Sequence, residues 1–78
     1  MEDKTFAEWL QEAMDERNIS INQLSSETYI GRPTISHHLR GLCTPYRSTL
    51  RIYANYFGVN YWDLYEMVLQ ESQQKQSL

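Results

Sequence analysis

Residues Ser20–Gly41 read SINQLSSETYIGRPTISHHLRG, and the rest of the chain is organised around them. Ser20 carries a hydroxyl suited to capping the free backbone N–H groups of a helix start. Gln23 stands three residues on, in the Ser-x-x-Gln form of a capping box. Leu24 is the first inward residue, and Tyr29-Ile30-Gly31 breaks the run. A second helical pattern begins at Gly31, with Pro33 in the first turn, where a missing N–H costs nothing. Ile35, Leu39 and Leu42 recur at i, i+4 and i+7 and predict one apolar face. The opposite face carries Arg32, Thr34, Ser36, His37 and Arg40 without a carboxylate. Two short helices joined by a tight turn, the second rich in donors, describe a helix-turn-helix with a recognition helix.

The stretch and its flanks resemble the lambda-repressor-like (XRE/Cro) helix-turn-helix proteins. The residues that carry the resemblance are Ile19-Ser20, Leu24-Ser25, Thr34-Ile35-Ser36, Gly41, Pro45 and Ala54-Asn55-Tyr56-Phe57-Gly58-Val59, in register without a gap from Ile19 to Leu64. The chain departs from the family in three places. Tyr29 stands where the turn usually has Gly, Ile21 replaces the Gln that often opens helix 2, and Met14 and Leu39 occupy the positions of a common Arg–Glu pair. Tyr29 must then adjust the turn or take a positive φ. Replacing a buried ion pair by apolar packing leaves the fold intact.

The resemblance implies an all-α, compact five-helix domain over residues 1–69. The helices are expected at about 5–18, 20–28, 32–40, 46–57 and 61–71, with a polar, frayed tail over 70–78. The sequence supports each element. Thr5 with Glu8 forms a capping box, and Phe6, Leu10, Ala13 and Met14 make a helical stripe flanked by Trp9. Leu50, Tyr53, Ala54 and Phe57 line one face of the fourth helix, and Leu64 and Val68 line the fifth, with Trp62 expected to wedge near the base of the domain. Gly41 is expected to end helix 3 in a left-handed conformation.

A net charge of −3 looks unsuited to a nucleic-acid binder until it is divided by position. Residues 1–27 carry seven acids against Lys4 and Arg17. Residues 28–62 carry Arg32, Arg40, Arg47 and Arg51 and no acid. Residues 63–78 carry Asp63, Glu66 and Glu71 against Lys75. A phosphate backbone meets the local field, so the acid-free middle of the chain is the candidate DNA face.

By the resemblance, Arg32, Pro33, Thr34 and His37 are the base-reading candidates. An arginine can bond guanine O6 and N7 bidentately, and Pro33 or Thr34 can touch a thymine methyl. Ser20, Asn22, Ser36, Arg40, Thr44 and Arg47 are the phosphate candidates. His38, beside Ile35 and Leu39, reads as a half-buried structural residue. It forms no metal site with His37, because adjacent helical residues diverge and no Cys or third His supports them. Family members commonly pair through the last helix. The strip Tyr61, Tyr65, Val68, Leu69 and Ser72 is more aromatic than a solvated helix requires and is the expected homodimer interface, with Tyr53 and Tyr56 as possible additions.

The 78 residues make one small domain with modest burial. The single cysteine, Cys43, excludes an internal disulfide and a cysteine-based zinc site. Met1-Glu2-Asp3-Lys4 is acidic where a signal peptide is basic, and no run has the apolar length of a membrane span, so a cytoplasmic protein is expected. No nucleophile–base spacing, metal set or phosphate loop suggests an enzyme, and no cofactor is expected. The expected activity is that of a dimeric transcriptional regulator, a small repressor or control protein on a palindromic operator, open to a protein antagonist or co-regulator. The alternative is a protein-interaction module, antirepressor or antitoxin-like, that uses the acidic face of helix 1 (Glu8, Glu12, Asp15, Glu16) and the aromatic helix 5.

Overall fold

The computed structural model describes the backbone of residues 5–76 and the side chains of residues 5–69. Five helices follow one another: α1 (Phe6–Arg17), α2 (Ile21–Thr28), α3 (Arg32–Arg40), α4 (Arg47–Phe57) and α5 (Tyr61–Gln76). Among the described residues there is no strand. The fold is all-α.

Local chemistry sets the starts and stops. At α1 the capping box is complete: Glu8 N–H donates to Thr5 Oγ1 at 3.2 Å, and Thr5 N–H donates to Glu8 Oε1 at 3.1 Å. At α2 only one arm forms, from Gln23 N–H to Ser20 Oγ at 3.1 Å. The helix α3 ends on Gly41 at φ +73°, with Gly41 N–H bonded to His38 O and Leu42 N–H bonded to His37 O. This paired closure satisfies carbonyls that the helix leaves open. Asn18 does the same after α1 at φ 54°. Arg17 reaches across the domain, donating to Phe57 O at 2.6 Å at the end of α4, with its guanidinium 5.2 Å from the centre of the Phe57 ring.

The core gathers the apolar faces of all five helices. Leu10, Leu24, Ile35, Leu50, Tyr53 and Leu64 are fully or almost fully buried, and Phe6, Met14 and Phe57 join them. Phe6 packs on Tyr53 with ring centroids 5.5 Å apart, and Trp9 meets Phe57 edge-on at 5.4 Å. Each such buried side chain contributes about 1.5–3 kcal/mol.

Four expectations are corrected here. Leu42 is 63% exposed, because α3 has already ended and the residue falls in the loop instead of continuing the apolar face. Trp62 is 62% exposed and does not wedge into the base of the domain; Leu64, two residues on, faces the core. Tyr53 is a core residue and offers no surface. The helix α5 runs to Gln76, beyond the point where a frayed tail was expected. Its last turns contain no Gly or Pro and are rich in straight-chain helix formers, which lose little freedom in a helix.

The turn between α2 and α3 accepts tyrosine at a price in backbone strain. Tyr29 has φ 64° and ψ 18° and is 93% exposed. Side chains around it hold the turn: Ser25 Oγ donates to Ile30 O at 2.6 Å, Thr28 Oγ1 donates to Leu24 O at 2.7 Å, and Ile30 N–H donates to Thr28 Oγ1 at 3.3 Å. Left-handed backbone costs an L-residue about 1–2 kcal/mol, part of which glycine returns through the freedom of its unfolded chain. Tyr29→Gly should therefore raise unfolding stability in urea by up to about 1 kcal/mol. A loss of stability would show that the exposed ring holds the turn.

Candidate nucleic-acid interface

Placement of the site begins with the buried side of α3. Ile35 is fully buried, and His38, one turn on, is 3% exposed. His38 Nδ1 and the Tyr53 hydroxyl lie 2.9 Å apart, one hydrogen bond whose direction follows the imidazole tautomer. Phe6 stands edge-on to the imidazole at 6.3 Å. Among the described residues no buried side-chain polar atom lacks a partner. Burial, with a smaller repulsion from His37, holds the His38 pKa below 6.5, and burial likewise raises that of Tyr53. The expected structural histidine is therefore found, and more deeply buried than its neighbours in the sequence implied.

With Ile35 and His38 inward, the other side of α3 must face out. Arg32, Pro33, Thr34, His37 and Arg40 are all exposed, and Ser36 is half-buried. Arg32, Ser36 and Arg40 recur every fourth residue, as do Pro33 and His37, so they form one stripe along the helix. Arg32 NH1 donates to Asn22 Oδ1 at 3.0 Å, tying the start of α3 to the start of α2. This bond occupies the Asn22 oxygen and leaves its amide donors available. The Ser20 oxygen accepts the cap bond, while its O–H remains a donor.

The remaining phosphate candidates follow α3 in the chain. Thr44 is half-buried in the loop after α3, and Pro45 is buried beneath it. Arg47 is exposed at the start of α4, its guanidinium 5.7 Å from the centre of the Tyr65 ring. Arg51 stands in the same way over Tyr61, at 5.5 Å. The single acid nearest the helix-turn-helix turn, Glu27, accepts a hydrogen bond from the Tyr56 hydroxyl, which raises the Tyr56 pKa.

On α5, Tyr61, Tyr65 and Val68 are half-buried and pack on the core, whereas Leu69 is exposed. The Ser72 side chain lies outside those described. Sequence reasoning missed both the Asn22–Arg32 bond and the Arg–Tyr pairs. The second had a visible signal: Arg47 and Arg51 are four apart, as are Tyr61 and Tyr65.

A family model described as the Cro/C1-type HTH DNA-binding domain matches residues 9–70. The chain belongs to this family. No curated protein and no solved structure gives a significant match. A Cro/C1-type domain is a DNA-binding module of transcription regulators, and the five observed helices agree with its all-α fold. Among the described residues of this Cro/C1-type domain, no group of three His, Cys, Asp or Glu side chains could hold a metal ion, and no helix is long and apolar enough to cross a membrane.

The buried histidine makes the position of α3 sensitive to acid. Its folded pKa lies below the unfolded value of 6.5, so the unfolded chain takes up the proton first. Stability should be level above pH 6.5 and should decline as pH falls from there toward the folded pKa. Urea unfolding measured across this range should show that decline, and His38→Leu should flatten it. An equal decline in the variant would assign the effect to other groups.

Proposed function

We propose that this chain is a sequence-specific, dimeric transcriptional regulator, a small cytoplasmic repressor or control protein that places α3 in the DNA major groove. The observation that carries this reading is the exposed, acid-free stripe of α3 with Arg32 tethered to Asn22 at its leading end. A guanidinium held by one N–H has fewer orientations to lose, and its other donors remain for a base edge. In this reading Arg32, Pro33, Thr34 and His37 meet bases. Ser20, Ser36, Arg40, Thr44 and Arg47 meet phosphates, and Asn22 serves both Arg32 and the backbone.

One such domain reads only a few base pairs and buries limited DNA surface, which favours pairing on a palindromic operator. The proposed contact is the outer side of α5. Within the strip Leu69 is exposed, while Tyr61, Tyr65 and Val68 present only part of their surface. Two-fold pairing there would set two recognition helices about 34–36 Å apart, one DNA turn. Promoter occlusion by the paired domains would then repress transcription.

Selection of bound duplexes from a random library tests specificity and half-site symmetry together. On a selected duplex, Arg32→Ala should lose about 1–3 kcal/mol of discrimination while non-specific binding changes less. Asn22→Ala should lose part of the same discrimination. Equal losses on selected and random duplexes would move Arg32 to the phosphate contacts.

For pairing, Leu69→Asp is the cleaner variant, because Tyr65 also covers the core. Sedimentation should show folded monomers of Leu69→Asp at concentrations where the parent chain is dimeric. A parent that stays monomeric at high concentration and on its selected duplex would remove the dimer from the proposal.

A further inference from the structure

Arg47 and Arg51 are like charges four residues apart on α4, an arrangement that destabilises a helix unless something offsets it. Neither is paired with a carboxylate among the described residues. Each guanidinium instead lies over a tyrosine of α5, Arg47 over Tyr65 and Arg51 over Tyr61. The two tyrosine rings are themselves stacked, with centroids 5.9 Å apart and planes 21° from parallel. Trp62 closes the cluster edge-on, 5.3 Å from Tyr61 and 5.7 Å from Tyr65. The result is a ladder of two rungs, each a cation against a ring.

A ring attracts the face of a guanidinium, whereas an anion bonds to the N–H groups along its edge. The two interactions use different parts of the group and can be made together. A stacked arginine has also lost much of its freedom before an anion arrives. Two arginines so held, side by side and without a carboxylate, form a preorganised anion site. Both arginines and Tyr61 lie within the acid-free span 28–62, Tyr65 lies just beyond it between the exposed Asp63 and Glu66, and Arg47 opens α4 directly after the loop that follows the exposed stripe of α3. This continuity favours the phosphodiester backbone of DNA over an acidic polypeptide.

We propose that Arg47 and Arg51 together form a phosphate clamp for duplex DNA, with Tyr65 and Tyr61 as its positioning residues. The proposal rests on the DNA-binding reading above. It adds Arg51 to the contacts and gives the α5 tyrosines a task that does not depend on pairing.

The test is the salt dependence of binding to a fluorescently labelled duplex of random sequence, with sedimentation and thermal unfolding run on each variant. Arg51→Ala should lower the slope of log affinity against log salt by about one unit per protomer, as should Arg47→Ala. Tyr61→Leu should weaken binding roughly two- to fivefold, the size expected for a lost cation–ring contact, and Tyr61→Phe, which keeps the ring, should recover it. In an Arg51→Ala background, Tyr61→Leu should cost nothing further. An unchanged slope for Arg51→Ala would overturn the clamp while leaving the DNA reading intact. An undiminished Tyr61→Leu effect in the Arg51→Ala background would overturn the positioning role. If Arg51→Ala lost only poly-glutamate binding, the site would belong to acidic protein segments, against the proposal. A parent chain that binds no duplex at any salt would overturn the DNA reading and the clamp with it.

Discussion

A nine-residue helix is too short to persist in water, so α3 exists only because its inner side is buried. Ile35 and His38 supply that side, and Phe6 and Tyr53 receive the imidazole. The Tyr53 hydroxyl is what makes a histidine tolerable there, since a buried imidazole without a partner would be costly. This packing also orients the helix. Once Ile35 and His38 point inward, the direction of Arg32, Pro33, His37 and Arg40 follows from helical geometry. The outer stripe carries little of the stability.

The surrounding elements serve that arrangement through bonds between distant segments. Arg17, at the end of α1, closes the carbonyl end of α4, and Tyr56 on α4 reaches back to Glu27 on α2. The Tyr56–Glu27 bond gives the acid nearest to α3 in the sequence a partner within the protein. Four-residue spacings on α4 and α5 then bring Arg47 and Arg51 over Tyr65 and Tyr61. Charge is thus separated on the surface of one small domain, acids on α1 and arginines on α3 and α4, which is how a chain of net charge −3 can present a basic face.

Much of this was open to reading without coordinates. The residues lining the core of α1, α2 and α4 stand at helical spacing, and hydrophobic period reports which side of a helix is buried. Tyr29, in a turn that family members build with glycine, had either to adjust the turn or to take a positive φ, and it takes the positive φ. Where the reading failed, period alone had been extended too far. Leu42 continues the spacing of Ile35 and Leu39, but Gly41 ends the helix first and sends it into solvent. Trp62 is large and apolar, yet the rotation of α5 is set by Leu64, and the indole is left outside.

The sequence by itself determined the helix order, the turn between α2 and α3, the buried faces of α1, α2 and α4 and the acid-free span that makes a DNA face possible. These are local properties, written in caps, breakers, periodicity and the position of charges. Only the tertiary structure decided that Asn22 holds Arg32, that Tyr53 satisfies His38, and that two arginines rest on two tyrosines of another helix. Each of these pairs joins separate helices. The rotation and crossing of those helices are fixed by how the whole core packs, so no spacing within one segment could reveal the partner in another.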